Sequence, residues 1–394
     1  MKIAFFSDNF YPELSGISDS IILTGTKLAE RGHTVVFFAP KYSNKNYRRS
    51  NVSREEPHLG KNIKIRRIFS LPFPAPTLQG RLAIPNILRG ILMRKFDIIH
   101  TQSFFGTGLD ALIASDISGV PLVGTNHTLI EPFAEYSPIA KKTTKNILVR
   151  YMKWYYNKCI FVTTPSEFLK NDMSQKGVTT PMESVSNPIA DEFFSSRDFK
   201  EALKQKLGLS KFTILYAGRI SPEKNIQVLL DAFIPFAKEN SNVNLSILGD
   251  GSLKKELEKK AAESGVSRQI KFEGSFFGKN KQTLYDHFHA SDCFVMPSTS
   301  ETQSMGVLQA MAAKVPVIVA NSGPLPKLVL DKKGLLFEPN NAVDLTTRFN
   351  ELYKNSNLGI ELSQNASVLA RELSADKIAT QWEKIYNRII SDHS

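Results

Sequence analysis

Cysteine and tryptophan are scarce in this chain, with two of each among 394 residues, and no apolar run approaches the length of a membrane span. Cys159 and Cys293 stand far apart and share no metal-ligand spacing, so neither a disulfide framework nor a zinc site organises the fold. That scarcity fits a reducing cytosol. A bilayer crossing needs about 18 or more consecutive apolar residues, and Ile3-Ala4-Phe5-Phe6 is much shorter than the apolar core of an export signal. The expected location is cytoplasmic.

Positive charge is in excess: 50 Lys and Arg stand against 38 Asp and Glu, a formal net charge of +12. The excess is uneven. Residues 1–200 hold 26 cationic against 17 anionic side chains, and residues 201–394 hold 24 against 21. Whatever draws an acidic partner therefore lies mainly in the first half. Such a balance serves nucleic acid, anionic lipid or plain solubility. No zinc-finger spacing or RNA-recognition signature is present, so nucleic acid is not an expected partner. Solenoid-period repeats and low-complexity tracts are absent as well.

What the chain does have is alternation. With 42% hydrophobic residues over this length, two packed cores can be built. Short apolar runs alternate with longer periodic segments, the pattern of parallel strands and their crossover helices. The expected strands of the first half are Lys2–Ser7, Thr34–Ala39, Asp97–Thr101, Pro121–Thr125 and Ile160–Thr164. Between the first two, Ser18–Arg31 reads as a helix with Ser18 or Asp19 as N-cap and Gly32 as its stop. Around Asn187-Pro188 the pattern breaks, and a basic helical segment runs to about Gly208. Phe212–Ala217 then opens a second series, with Asn244–Leu248, Ile270–Phe272, Cys293–Met296 and Val315–Val319. The expected architecture is α/β: two Rossmann-like, doubly wound parallel-sheet domains, 1–190 and 208–375. Ligands of such sheets bind beyond the carboxyl ends of the strands, so those positions hold the candidates.

After the first strand comes Asp8-Asn9-Phe10-Tyr11-Pro12-Glu13-Leu14-Ser15-Gly16, leading to a helix whose free N–H groups can hold an anion. A plain connection looks the same. Leu248-Gly249-Asp250-Gly251 repeats the device but lacks the third glycine and the ribose-binding acid of a dinucleotide fingerprint, which argues against a dehydrogenase. In Gly218-Arg219-Ile220-Ser221-Pro222-Glu223-Lys224, two cations leave a strand end before the helical pattern Ile226–Phe236. Converging cations can neutralise a diphosphate without a metal, although a solvated loop also carries such residues. The loop 297–312 adds Glu301, able to accept sugar hydroxyls, Gly306, able to let backbone approach phosphate, and Gln309 about one helical turn further on.

Taken together, Gly218-Arg219…Glu223-Lys224, the loop 297–312, Gly249-Asp250-Gly251 and Gly334-Leu335-Leu336-Phe337 resemble the large retaining GT-B family of bacterial glycosyltransferases, over nearly the whole chain. The resemblance implies two domains facing across a cleft, with the final helix, 376–394, packing back on the first. It implies a nucleotide-diphosphate sugar as co-substrate and no metal or other cofactor. Arg219 and Lys224 would hold the diphosphate, Glu301 the hydroxyls of the transferred hexose, and N–H groups around Met305, Gly306 and Val307 the phosphate. Gly249 would line the donor site, Gly16 would permit a closing contact from the first domain, and His127 would stand beside the reacting sugar. Transfer would retain the anomeric configuration, the leaving diphosphate itself taking the acceptor proton.

Two positions depart from the family pattern. Gln309 stands where a second Glu is usual, weakening the expected ribose contact, since a neutral acceptor bonds less strongly than an ionised one. Ser15-Gly16 stands where a glycine pair is usual. Gln309 keeps open an alternative, a catalytically silent sugar-nucleotide-binding partner of another transferase.

For the acceptor, two basic amphipathic segments stand out. Arg81–Lys95 reads as helical, with Ile84, Ile87, Leu88, Ile91 and Leu92 on one face and Arg81 and Arg89 among its cations. Lys141–Lys158 combines Lys141, Lys142 and Lys145 with Tyr151, Trp154, Tyr155 and Tyr156. Such helices rest in an anionic membrane interface, and ordinary helices packed on a sheet look alike. With Ser70-Leu71-Pro72-Phe73-Pro74, His127-Thr128…Tyr136 and Glu301-Thr302-Gln303, the chain is similar to diacylglycerol and phosphatidylinositol hexosyltransferases. The expected acceptor is thus a membrane lipid, reached from the inner face of the cell membrane; a soluble or polysaccharide acceptor is the alternative.

Overall fold

The computed structural model describes residues 1–12, 15–50, 52–73, 81–131, 141–195, 198–274 and 281–393, the side chains of Arg49, Lys141 and Lys142 excepted. Two compact units emerge: Met1–Pro188 with Ala375–Ser394, and Ile189–Ser374.

The first unit is built on a seven-stranded parallel sheet. Its strands are β1 (Lys2–Phe6), β2 (Thr34–Pro40), β3 (Ile63–Ile68), β6 (Ile98–Thr101), β7 (Leu122–Thr125), β8 (Phe161–Thr164) and β9 (Met182–Ser184), in the order β3-β2-β1-β6-β7-β8-β9. A short antiparallel hairpin, β4 (Ser70–Pro72) and β5 (Arg81–Ala83), lies outside it. The order reverses between β1 and β6, which makes their carboxyl ends the switch point where such sheets bind ligands.

Right-handed crossovers put helices on opposite faces according to the direction in which the chain steps. The connection from β1 to β2, helix Gly16–Glu30, covers one face, and Ala375–His393 packs beside it. Arg31 clamps the pair, donating to Glu383 and Thr380 at 2.8 Å each, while His33 Nε2 lies 2.8 Å from Glu383 Oε1. Helices Gly106–Ser118 and Lys141–Tyr156 cover the other face, with the short helix Leu88–Met93 against Gly106–Ser118.

Two sequence expectations change here. Helix Gly16–Glu30 begins a turn-fraction earlier than expected, because Ser15 is the N-cap: its backbone N–H donates to Ser18 Oγ at 2.6 Å, and the Ser18 N–H returns to Ser15 Oγ at 3.3 Å. Ser18 is thus the third helical residue of a capping box rather than the cap. Arg81–Lys95 is not one helix either. Pro85 disfavours helical backbone at Ile84, and Arg81 is drawn into the hairpin, donating to the Ser70 carbonyl and, at 3.1 Å, to Ser70 Oγ. Only Leu88–Met93 is helical.

The second unit is a six-stranded parallel sheet, β10 (Phe212–Ala217), β11 (Val243–Leu248), β12 (Ile270–Gly274), β13 (Cys293–Met296), β14 (Val317–Ala320) and β15 (Leu335–Phe337), ordered β12-β11-β10-β13-β14-β15. Its switch point falls between β10 and β13. Helix Lys200–Leu207 belongs to this unit, and Lys204 reaches Asp292 at 2.7 Å. Helix Ile226–Glu239, nearly all apolar along one face, supplies Leu229, Leu230, Phe233 and Phe236 to the core between the sheet and Ala342–Lys354.

Candidate functional site

In the second unit, the chain leaving β10 is held by the turn after β11. Gly249 has φ 153°, and a Cβ there would lie 1.8 Å from the Gly218 carbonyl oxygen; one on Gly251 would lie 2.2 Å from that of Ile220. Both positions therefore require glycine. The two turns zip together through Gly218 N–H to Leu248 O and Ile220 N–H to Asp250 O, each 2.9 Å. Gly249 serves first to fix the loop that carries Arg219.

Beyond Ile220 the chain makes a tight turn, Pro222–Lys224, closed by Asn225 in left-handed backbone, φ 54°. The Glu223 carbonyl accepts from Thr299 N–H and Ser298 Oγ, each at 3.2 Å, so this turn is tied to the loop after β13. That tie brings Lys224 Nζ to 2.6 Å from Glu301 Oε1, a partner 77 residues away in sequence. The Lys224 side chain is 14% exposed and that of Glu301 9%. Arg219 is unlike Lys224: it is 69% exposed and pairs with Glu223 at 3.0 Å. Burial works against the Glu223 charge, yet the Ser221 hydrogen bond and the neighbouring Arg219 and Lys224 outweigh it and lower the carboxyl below its ordinary value.

Helix Met305–Ala312 starts at the same place. A Cβ on Gly306 would lie 2.8 Å from the Phe294 ring and 3.2 Å from the Ala217 carbonyl oxygen, so glycine lets the helix start close against the end of β10. Its first N–H groups, at Met305, Gly306 and Val307, have no carbonyl within the helix to bond. Val307 is fully buried, whereas Met305 and Gln309 are half-buried. Ser304 caps this end in left-handed backbone, φ 78°, and its buried hydroxyl has no hydrogen-bond partner among the described residues. An orphaned hydroxyl, free N–H groups and a lysine gathered at a strand end suit a multiply charged anion.

In the first unit, His127 follows β7 and is buried. Burial pushes the ring down to about 4, so it is neutral near pH 7. His127 Nε2 lies 2.7 Å from Gln102 Oε1, and Gln102 Nε2 lies 2.9 Å from His100 Nε2. His100 in turn lies 2.6 Å from both Thr125 Oγ1 and the Tyr386 hydroxyl. Sequence reading missed His100, which lies within β6, and Gln102, which follows it; neither matches a motif. It also missed Asp8, a buried carboxylate that accepts from Thr107 N–H at 2.9 Å and Ser103 Oγ at 2.8 Å. Burial raises the Asp8 pKa against those hydrogen bonds. Gly16 is the first residue of helix Gly16–Glu30, just after its Ser15 cap.

The expected membrane-facing cations divide. Arg89 is not available to a surface: its Nε lies 2.5 Å from Asp110 Oδ2, a fully buried carboxylate. Arg81 is spent on Ser70, as above, and Lys145 pairs with Glu131 at 3.0 Å while remaining partly exposed. The side chains of Lys141 and Lys142, with Pro74 and Tyr136, lie outside the described residues. The apolar expectation fares differently. Among the described residues, the exposed large apolar side chains of the first unit all lie on three elements. Phe69, Leu71 and Phe73 belong to the hairpin, Ile87, Leu88, Ile91 and Leu92 to the short helix and its start, and Ile147 and Trp154 to Lys141–Tyr156. Trp154, 45% exposed, stacks on Tyr151 with ring centres 5.7 Å apart.

Sequence and structure comparisons identify the family of the chain. The family model for glycosyl transferases group 1 matches residues 199–368, and that for glycosyltransferase family 4 matches residues 14–193. Alpha-monoglucosyldiacylglycerol synthase of Streptococcus pneumoniae is 31% identical over 343 residues, covering 84% of this chain and 74% of the relative. The enzyme of the same name from Acholeplasma laidlawii is 26% identical over 411 residues, covering 100% and 98%. Among solved structures, HepE of Anabaena in complex with UDP superposes with a TM-score of 0.77 at 19% identity, covering 98% of this chain and 100% of that one. The chain therefore belongs to the group 1 glycosyltransferases of GT-B fold, close to lipid hexosyltransferases.

Proposed function

We propose that this glycosyltransferase moves a hexose from a nucleotide-diphosphate sugar to a membrane lipid of the diacylglycerol class, with retention at the anomeric carbon and without a metal. The observation that carries the donor half is the Lys224–Glu301 pair at the start of helix Met305–Ala312. The diphosphate takes the Lys224 ammonium, the Arg219 guanidinium and the N–H groups of 305–307, and the Ser304 hydroxyl gains an acceptor. Glu301 is released to accept hydroxyls of the sugar. HepE, of the same fold, has been solved with UDP-glucose, which supports a nucleotide sugar here.

The bond from the anomeric carbon to the diphosphate breaks as that to the acceptor oxygen forms. The acceptor proton passes to a diphosphate oxygen on the same face, and the fixed cations absorb the charge that develops on the leaving group. Preorganised charge of this kind does the work that a metal or a covalent intermediate does elsewhere. Neutral His127 offers the sugar a hydrogen bond without adding a charge.

A lipid acceptor is supported by the apolar side chains exposed on the hairpin, on Leu88–Met93 and on Lys141–Tyr156, and by relatives named for glycosylating diacylglycerol. Attachment is peripheral in this reading, at the cytoplasmic face: no helix among the described residues is long and apolar enough to cross a membrane.

The test is to incubate purified protein with UDP-, GDP- and ADP-hexoses and diacylglycerol in anionic mixed micelles, with and without EDTA. Free nucleoside diphosphate and glycolipid are followed together, and the anomeric coupling of the product is read by proton NMR. Lipid-dependent release, insensitive to EDTA and giving the donor's own configuration, is expected. Release only with a soluble acceptor, an inverted product or loss of activity with EDTA each overturns the corresponding part.

A further inference from the structure

Helix Gly106–Ser118 does not cap itself. Phe105, at its N-cap, has no side-chain acceptor for the first turn, and the acceptor comes from 99 residues away: Asp8 Oδ1 takes the Thr107 N–H at 2.9 Å. Asp8 Oδ2 accepts from Ser103 Oγ at 2.8 Å, and the Asp8 carbonyl accepts from the Tyr42 hydroxyl at 2.7 Å. A Cβ on Gly106 would lie 2.7 Å from Asp8 Oδ1, so the helix starts on glycine where the carboxylate sits. Asp8 follows β1 and Ser103 follows β6, the two strands whose carboxyl ends bound the switch point of the first sheet. One carboxylate thus ties together the two loops that border the crevice in which such a sheet takes its ligand. The same helix supports the elements that expose apolar side chains. Tyr151 of Lys141–Tyr156 donates to the Phe104 carbonyl at 2.6 Å, Asn86 ahead of Leu88–Met93 donates its N–H to Asp110, and the Ala83 nitrogen of the hairpin lies 3.2 Å from where a Gly106 Cβ would be.

We propose that Asp8 is a positioning residue for the acceptor: by capping helix Gly106–Ser118 from the end of β1 and holding Ser103 after β6, it fixes the two loops between which the acceptor hydroxyl is presented. This rests on the reading that the first unit receives the acceptor. Asp8 is 1% exposed and both its oxygens are engaged, so it acts through its neighbours rather than on a ligand. A Ser, Thr, Asp or Asn at position 105 would cap the helix as well. A cap supplied from β1 does more, because it makes the start of the helix and the course of the loop after β1 a single arrangement. The buried charge is costly to desolvate, which its hydrogen bonds and the positive end of the helix offset. In Asp8→Asn the amide oxygen still takes the Thr107 N–H, but its NH₂ turns to Ser103 Oγ, which has to stop donating there. The helix keeps a cap, and the tie across to β6 falls from a charge-assisted bond to a neutral one.

Acceptor KM is the readout that separates positioning from folding, since a merely structural role lowers the active fraction, and with it kcat, without moving KM. The full chain is assayed in mixed micelles with diacylglycerol at varied surface fraction, and urea midpoints establish that each variant is folded. Asp8→Asn and Ser103→Ala are expected to raise acceptor KM by about 10-fold, the factor that one weakened hydrogen bond to a charged group can transmit, while the donor Kd by calorimetry stays within about twofold because the proposed diphosphate contacts lie in the second unit. Should Asp8→Asn not fold, Ser103→Ala, which leaves the Thr107 cap in place, decides alone. An unchanged acceptor KM in the folded variants, or a donor Kd that weakens in step with it, overturns the role of Asp8. If the wild type glycosylates only a soluble acceptor, the lipid reading has failed, and the same comparison made with that acceptor judges Asp8. A wild type that transfers to no acceptor removes the transferase reading and the role of Asp8 with it.

Discussion

Lys224 and Glu301 hold one another at 2.6 Å before any donor arrives, each largely removed from solvent. Removing one partner strands the other, and an uncompensated buried charge costs about 3–5 kcal/mol where burial is complete. Lys224→Ala is therefore expected to lower stability as well as turnover, the latter by about 100-fold or more. In the double variant Lys224→Ala/Glu301→Gln the stranded charge is gone, so stability returns while turnover does not. Chemical denaturation beside steady-state rates separates the two effects. Recovery of turnover in the double variant would remove Lys224 from the diphosphate site.

The buried histidines give the protein an acid-sensitive range. His127 and His287 are both held at about 4 by burial, against an ordinary value near 6.5. The unfolded chain thus binds more protons than the folded one between those values. The stability of the neutral rings is complete above pH 6.5 and is lost as pH falls towards 4, by about 3 kcal/mol per ring. Urea unfolding at pH 7, 5.5 and 4.5 should give a shallower loss in His127→Gln than in the wild type. Parallel curves would mean that His127 titrates alike in the folded and unfolded chain.

Gln309 lies in the first part of a helix whose start faces the proposed phosphate site. If its side chain meets the ribose, Gln309→Glu restores an ionised acceptor, roughly doubling that hydrogen bond. Calorimetry with UDP, GDP and ADP is expected to show tighter binding or a changed order of preference. The same affinities for all three in both proteins would place Gln309 outside the site.

Membrane attachment should depend more on apolar side chains than on the cations singled out in sequence. Each of Ile91, Leu92 and Trp154 stands to gain about 1.5–3 kcal/mol on leaving water. Ile91→Asn/Trp154→Ala is accordingly expected to reduce partitioning onto phosphatidylglycerol vesicles by about 100-fold, at about 1.4 kcal/mol per factor of ten. Co-sedimentation at low and moderate salt measures it, with Lys141/Lys142/Lys145→Glu reporting the electrostatic share. Equal pelleting of all three proteins at every salt would make these helices ordinary core elements and favour a soluble acceptor.

Arg89→Ala belongs to a different class of outcome. Because the guanidinium faces the buried Asp110, which also accepts the Asn86 N–H at 2.8 Å, its loss is expected to cost about 3 kcal/mol of stability. Vesicle binding by the folded fraction should be little changed. A stable Arg89→Ala protein that has lost vesicle binding would return Arg89 to the surface role read from the sequence.

Strands buried on both faces were legible because their residues are almost continuously apolar, as in β1, β2 and β10. Edge strand β3, Ile63–Ile68, was missed because exposed Lys64 and Arg66 alternate with half-buried Ile63 and Ile65 and only Ile68 is fully buried. The loop residues of the proposed donor site were legible as motifs, but their pairing was not. Nothing near Lys224 in sequence signals Glu301; it takes two hydrogen bonds from the β13 loop onto the Glu223 carbonyl to bring them together. Arg89 misled for the matching reason, its partner Asp110 being on another helix. His100 and Gln102 escaped notice because each is unremarkable alone, their meaning residing in contacts with Thr125, His127 and Tyr386.

The return of residues 375–394 to the first unit has a consequence for synthesis. A chain growing on the ribosome finishes β1 to β9 long before it makes the segment that covers one face of their sheet. Until the residues past 375 emerge, Arg31 and His33 lack Glu383, and His100 lacks the phenol of Tyr386. The sheet must wait, partly uncovered, while the whole second unit is translated. Nascent chains arrested within residues 189–374 should thus be open to proteolysis in the first unit, and the histidine pocket should close only when translation has passed Tyr386.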